Sequence, residues 1–322
     1  MDTLIIDQHD SSLSYDNACL ILRTPSAGPR AVPLLHLQRV ICLHPASVDT
    51  QLLARLQQQH IDFISLNARH SDSSFSLYAT HTLDAARRCL QYRLIEHPLL
   101  RLPLARALVC SKIRQTLRHT RAAAGSDLHQ HLRQLHEAAA LAGDADTLLG
   151  IEGRAQKHAF AHWRTLLPAS LEFHERLRRP PPDPVNAVLS LGFTLAYHEA
   201  ARQCLRHGLD PWLGIYHMLA PGRLSLACDL MEPLRPAIEA WTVHLFATST
   251  LHAQHFGHQN GACMLGKQGR QLYYDAWHRQ LPLWSRRLGA AAGLLARWID
   301  ARLPPPPQAG ETPCPSASAF TL

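Results

Sequence analysis

The chain lacks closely spaced cysteine pairs. Its eight cysteines are Cys19, Cys42, Cys89, Cys110, Cys204, Cys228, Cys263 and Cys314, and none forms a CxxC. That excludes zinc-ribbon and thioredoxin-like readings. Most lie in apolar runs, where a free thiol packs as a small hydrophobe. No run reaches the ~18 uninterrupted apolar residues of a membrane-spanning helix. The opening "MDTLIIDQHDSS" is acidic, and its apolar run is too short for a secretory leader. A protein of the reducing cytoplasm, with no membrane partner, is the expectation. No internal repeat is visible.

What is there is a chain of 322 residues, 46% apolar, enough for one large domain or two ordinary ones with a real core. Lysine plus arginine number 32 against 25 aspartates and glutamates, a net charge of +7. A basic excess of this size points toward a polyanion such as nucleic acid without proving it. The 22 histidines make chance His/Glu groupings common. "HTRAAAGSDLHQHLRQLHEAAA" and "LHAQHFGHQN" read as polar positions on helices or loops. Histidine spacing without a nearby carboxylate or thiolate is a weak metal signal.

The first 80 residues read as strands with one helix. "TLIID", "ACLILRT", "LQRVICL", "IDFISLN" and "FSLYA" are short, β-branched or leucine-rich, and bounded by turn residues. "SVDTQLLARLQQQH" is the helix, capped by Ser47 or Asp49. From about residue 82 the apolar spacing becomes three and four, and it stays helical. "LARALVCSKIRQTLRHTRAAA" carries many basic residues. Gly125 ends it, and Ser126 or Asp127 starts the next helix. "GDADTLLGIEGRAQKHAFAHWRTLL" starts at Asp144 or Asp146. Gly150 and Gly153 flank Glu152, and two helix-weakening glycines there predict a close approach to the backbone. Asp183 and Pro184 open a long buried helix that Gly208 ends. The fold class is therefore α+β. A strand-rich domain spans 1–80, a larger all-helical domain 81–303, and a Pro-rich disordered tail 304–322.

Four residues carry chemistry. Glu152 sits in a helix. His217 follows the turn that begins at Asp210-Pro211. Asp229 and Glu232 are three apart, which on a helix places them on one face. Carboxylates with one imidazole suit Mg2+ or Mn2+ better than structural zinc. An ion held there beside basic helices suits phosphodiester chemistry. Each residue also has a plainer reading: Glu152 as a solvated helix charge, His217 as a hydrogen-bonded turn histidine, and Asp229 as an N-cap.

The order of four motifs adds a further reading. "LLGIEGRAQKHAF", "DPVNAVLSLGFTLAY", "HGLDPWLGIYH" and "LSLACDLMEPLRP" together resemble the CRISPR-associated integrase family of spacer acquisition. The likeness runs over almost the whole chain, including "VPLLHLQRVICL" and the basic helix "LARALVCSKIRQTLR". It implies metal and catalytic roles for Glu152, His217 and Glu232, with Asp229 as a nearby second acid or an alternative metal ligand. Asn186 and Arg235 fall on motif positions and are expected to position groups or touch DNA. Lys112, Arg114, Arg118, Arg286 and Arg287 are expected on the DNA-binding surface. The resemblance further implies a homodimer with β-rich dimer contacts, a small ferredoxin-like CRISPR acquisition partner protein, and double-stranded or branched DNA as substrate. The implied reaction is attack of a DNA 3′-hydroxyl on a phosphodiester at a repeat edge. Two rivals are a non-catalytic DNA-binding assembly subunit and an unrelated metal-dependent phosphohydrolase. The chain departs from the family pattern at Gln156, Tyr216, Met218 and Cys228, and it lacks a glycine-rich turn after "IDFISLN".

Overall fold

Alternating apolar residues and tight turns build the first of two units, residues 1–83 and 84–322. The structure, a computed structural model, describes residues 3–66, 74–79, 85–123, 125–177 and 180–302. The expected tail and the segment after "IDFISLN" lie outside the described residues.

The first unit holds two four-stranded sheets. One is ordered β1 (Thr3–Ile6), β5 (Arg39–Cys42), β7 (Asp62–Ser65) and β8 (Phe75–Leu77). β1, β5 and β7 run parallel, and β8 runs antiparallel to β7. The other is ordered β4 (Ala27–Pro33), β3 (Cys19–Thr24), β2 (Ser11–Asp16) and β6 (Ala46–Val48). Helix α1 (Thr50–Gln58) is capped by Asp49, whose Oδ1 accepts from Gln51 N–H at 3.0 Å. Leu4, Leu13, Leu20, Leu52, Leu56 and Phe63 share one core.

Sequence reading missed β2, β4 and β6. In β2 serines alternate with buried Leu13 and half-buried Tyr15, so its apolar face is only two residues long. The β2–β3 turn at Asn17-Ala18 has φ values of 45° and 60°, the twist that joins two antiparallel strands tightly. β4 contains Gly28, Pro29 and Pro33 and lies at a sheet edge, where missing N–H groups do no harm.

The second unit is built of helices α2 (Ala85–Glu96), α3 (Pro98–His119), α4 (Asp127–Leu141), α5 (Ala145–Leu166), α6 (Pro184–Arg206), α7 (Ser225–Met231), α8 (Arg235–Ala247) and α9 (Lys267–Arg302). Ser126 stands at the N-cap of α4. Asp144 caps α5 through Thr147 N–H at 2.8 Å, and Asp183 caps α6 through Asn186 N–H at 2.8 Å. α3 packs against α4, α5, α8 and the 3-10 turn Glu232–Leu234; α6 packs against α7, α8 and α9. Trp241 of α8 meets Tyr273, Trp277 and Trp284 of α9 edge-on, at 5.3–5.9 Å between ring centres.

The helical unit also contains a hairpin, β9 (Phe256–Gln259) and β10 (Ala262–Leu265). Its turn is Asn260-Gly261, with φ of 51° and 76°. The histidines expected on a polar helix or loop here partly lie on a strand. Asn-Gly between two short runs is the signal that identifies such a turn. No helix among the described residues is long and apolar enough to cross a membrane.

Candidate active site

α3, α5 and the α7–α8 junction converge on an ionic cluster. Ala105, Val109, Ile113 and Thr116 form the buried stripe of α3. Lys112 falls on that stripe, three residues after Val109 and four before Thr116. It is buried, and its Nζ forms salt bridges with Glu152 Oε1 and with Glu232 Oε2, the latter at 2.7 Å. The placement differs from the DNA-binding surface expected for Lys112. Its charge is turned inward onto the two acids. Burial alone would discharge the ammonium; Glu232 and then Glu152 outweigh it and hold it above the ordinary lysine value.

Glu232 starts the 3-10 turn that Pro233 imposes, and Arg235 closes it. Arg235 Nε donates to Glu232 Oε1 at 2.7 Å, with its guanidinium 4.6 Å from the centre of the Phe193 ring. Arg235, too, is turned toward the acid and an aromatic face. Burial works against the Glu232 carboxylate, but Arg235, Lys112 and His217 outweigh it, and the carboxyl is held down at about 2.

Asp229 lies inside α7, fully buried, and is not an N-cap. Its Oδ2 accepts from Ile215 N–H at 2.5 Å and Tyr216 N–H at 2.9 Å. Its Oδ1 accepts from His217 N–H at 2.9 Å and pairs with His217 Nδ1 at 2.7 Å. A carboxylate accepts only, so Nδ1 carries a proton, and Nε2 is the nitrogen left to present a lone pair in the neutral ring. All four bonds go to the His217 turn. Asp229 thus positions the histidine. It and Glu232 stand one helical turn apart, since the backbone stays right-handed helical through Met231 and Glu232.

The His217 turn is held from its far side as well. A Cβ on Gly214 would stand 2.3 Å from His217 O and 2.6 Å from Ser225 Cβ, so only glycine fits. Ser225 Oγ donates to Met218 O at 3.0 Å, and Arg223 also donates to that carbonyl. The Tyr216 ring joins the core of α3, α4 and α5, while its buried hydroxyl has no partner. Burial raises its pKa, and Glu152, Glu232 and Asp229 raise it further, so the phenol sits within electrostatic reach of both site acids.

Two expectations change. Gly150 and Gly153 have nothing within 4 Å of an added Cβ, so no close approach from within this chain explains them. Asn186 is fully buried and makes no surface contact. Its Oδ1 accepts from Arg176 Nη1 at 2.8 Å and Leu177 N–H at 3.0 Å; its Nδ2 donates to Glu175 O at 2.9 Å. It fastens the segment before α6. Gln156 donates to buried Glu239 at 2.8 Å, which also accepts from Trp163 Nε1 at 3.2 Å.

The donor chemistry fits a hard divalent ion. Glu152 and Glu232 converge on one cation, and His217 is near enough to Glu232 to lower its pKa. Among the described residues no three of His, Cys, Asp or Glu form a preassembled metal cluster. Lys112 stands between the two acids instead.

Arg114 and Arg118 are exposed, as expected, and line an open groove of about 360 Å³ with Leu117, Arg121, His129 and Arg133. Sequence reading missed Arg133, which α4 brings to the arginines of α3. Arg286 and Arg287 are exposed on α9. Burial pushes the His119 imidazole down, and Arg287 and Arg118 push it further, so Arg287 reaches the same end of α3.

Comparison with known proteins follows this geometry. A family model described as CRISPR associated protein Cas1 matches residues 4–279. The chain is 29% identical to CRISPR-associated endonuclease Cas1 1 of Thermodesulfovibrio yellowstonii, over 93% of this chain and 98% of that protein. It is 32% identical to CRISPR-associated endonuclease Cas1 3 of Thermus thermophilus, over 82% and 81%. A CAS1 protein from Thermotoga maritima has a similar fold, with a TM-score of 0.82 at 20% identity over 93% and 97% of the two chains. A casposase bound to integration product scores 0.82 at 17% identity over 94% and 92%. The Cas6-RT-Cas1–Cas2 complex scores 0.80 at 20% identity, over 93% of this chain and 35% of that one.

Proposed function

Because the chain belongs to the CRISPR associated protein Cas1 family, we propose that it is a metal-dependent DNA endonuclease and integrase of CRISPR spacer acquisition. The observation that carries this reading is the convergence of Glu152 and Glu232 on one cation, beside a histidine whose tautomer Asp229 fixes.

The substrate is double-stranded or branched DNA. The 3′-oxygen of a short DNA attacks a phosphodiester at the edge of a CRISPR repeat. One P–O bond forms, the bond to the leaving 3′-oxygen breaks, the attacking hydroxyl gives its proton to solvent, and the leaving oxygen takes one up to become a 3′-hydroxyl. Water in place of the 3′-hydroxyl gives strand cleavage at the same site. Mg2+ or Mn2+ held by Glu152, His217 and Glu232 would neutralise phosphate charge and acidify the attacking hydroxyl. Asp229 holds the Nδ1–H side of His217 and so turns Nε2 toward the ion. Arg235 holds Glu232 ionised and fixes one of its oxygens. The arginine groove along α3 and α4, with Arg286 and Arg287, receives backbone phosphates. The active form in this reading is a homodimer that assembles with a small ferredoxin-like acquisition protein. A chain of this fold is part of the Cas6-RT-Cas1–Cas2 complex, an assembly of the kind proposed.

The test uses a labelled branched DNA that mimics a half-integrated product. Cleavage and rejoining are followed in Mn2+, in Mg2+ and in chelator, for wild type and His217→Ala. The expected result is metal-dependent activity that falls by about 10²–10⁴ in the variant. Equal activity in both would make His217 a packing residue. DNA binding without turnover in either, with the acquisition partner present, would favour a non-catalytic assembly subunit.

A further inference from the structure

Lysine is almost never fully buried unless paired, and Lys112 is 5% exposed. Its two partners come from different segments, Glu152 from α5 and Glu232 from the turn after α7. Without Lys112 these acids would lose the cation they share, with Arg235 and His217 left near Glu232. With it, two carboxylates meet two cations, and the cluster is neutral as it stands. The side chains are nearly closed to water: Lys112 and Glu232 are 6% exposed and Glu152 is 17% exposed.

Both oxygens of Glu232 are taken, Oε1 by Arg235 and Oε2 by Lys112. A divalent ion that bridges Glu232 and Glu152 would take the place between them that Lys112 Nζ now occupies. With Lys112 left in place, the ion would add two uncompensated charges to a nearly dry cluster, which is strongly unfavourable. The ammonium must therefore leave as the ion enters.

We propose that Lys112 is a resident stand-in cation, which holds the two site acids together and which a divalent ion displaces on binding. This rests on the metal-dependent reading above. Its consequence is that the site folds closed and neutral without metal, and that the measured metal affinity is weakened by the salt bridges the ion must break.

The test measures Mn2+ binding by calorimetry, without DNA, to wild type, Lys112→Met, Lys112→Arg and Glu232→Gln. Lys112→Met should bind Mn2+ about tenfold or more tighter than wild type, since charge-assisted bonds no longer compete. Lys112→Arg, whose guanidinium grips carboxylates at two points, should bind more weakly than wild type. Glu232→Gln should lose binding. A second measurement needs no variant. The chain has only three lysines, and Lys157 and Lys267 are exposed references. Brief amine acylation with mass spectrometry should modify Lys112 faster in saturating Mn2+ than in chelator. It decides the matter if Lys112→Met fails to fold. Unchanged or weaker binding in Lys112→Met, or Lys112 labelling indifferent to bound Mn2+, overturns the proposal and leaves the metal reading standing. Absence of Mn2+ binding in wild type and Lys112→Met alike overturns both.

Discussion

Lys112 and Arg114 stand two positions apart on α3 and meet opposite surroundings. Two positions turn about 200° around a helix. Lys112 faces the interior and bridges Glu152 and Glu232; Arg114 faces solvent and lines the groove. The same sign of charge serves an interior ionic cluster on one face and an open arginine-lined groove on the other. The inner face is largely buried and ion-paired, so single changes there act on stability and turnover. The outer face is wet and redundant, so changes there act on affinity and are sensitive to salt.

The sharpest way to break this comparison is Glu232→Gln. It leaves Lys112 and Arg235 as buried cations short of a partner, a loss of about 3–5 kcal/mol by the measure of broken buried pairs. Urea unfolding at neutral pH reads it. Acid unfolding sharpens it. Glu232 is held at about 2 in the fold against 4.5 ordinarily, so its contribution is fully present above pH 4.5 and is lost as pH falls toward 2. The variant's stability should be flatter than wild type across that window. Parallel curves would mean the cluster is not what holds the inner face.

Gly214→Ala comes next. The added methyl collides with the His217 carbonyl, and the turn must shift at a cost of about 1–3 kcal/mol. Turnover should fall with it, while DNA affinity stays. On the outer face, Arg114→Glu with Arg118→Glu should weaken DNA binding at low salt and reduce the salt slope by about one for each lost phosphate contact. The fold should be unaffected, since surface changes typically stay within about 0.5 kcal/mol. The smallest effect is expected at Gly150→Ala and Gly153→Ala. An added methyl meets nothing within 4 Å at either, so each should stabilise α5 by up to about 1 kcal/mol and leave activity unchanged.

What the sequence could reveal followed the range of each interaction. Caps are local, and Asp49, Asp144 and Asp183 stand among the expected positions. The change from period-two to helical spacing marked the passage from strands to helices. Edge strand β4 escaped because its glycine and prolines mask its pattern. In the site, Glu152, His217 and Glu232 could be named from motif order, but what each touches could not. Lys112 lies 40 residues from Glu152 and 120 from Glu232 in sequence. Its position on the apolar stripe, between Val109 and Thr116, was the available signal of burial. Asp229 shares a helical turn with Glu232, as a spacing of three implies, but what it touches was not legible. Its real partners are N–H groups of residues 215–217, in a loop with no periodicity to read.

The most direct measurement separates the two faces of α3 by binding and turnover. DNA affinity, and the single-turnover rate at saturating protein, would be measured on the branched substrate for His217→Ala and for Arg114→Glu with Arg118→Glu. The account predicts that His217→Ala binds as wild type does and turns over hardly at all. It predicts that the arginine variant binds weakly but recovers a near-wild-type rate once saturated. An arginine variant that stays slow at saturation, or a His217→Ala protein that has lost its DNA affinity, would contradict it.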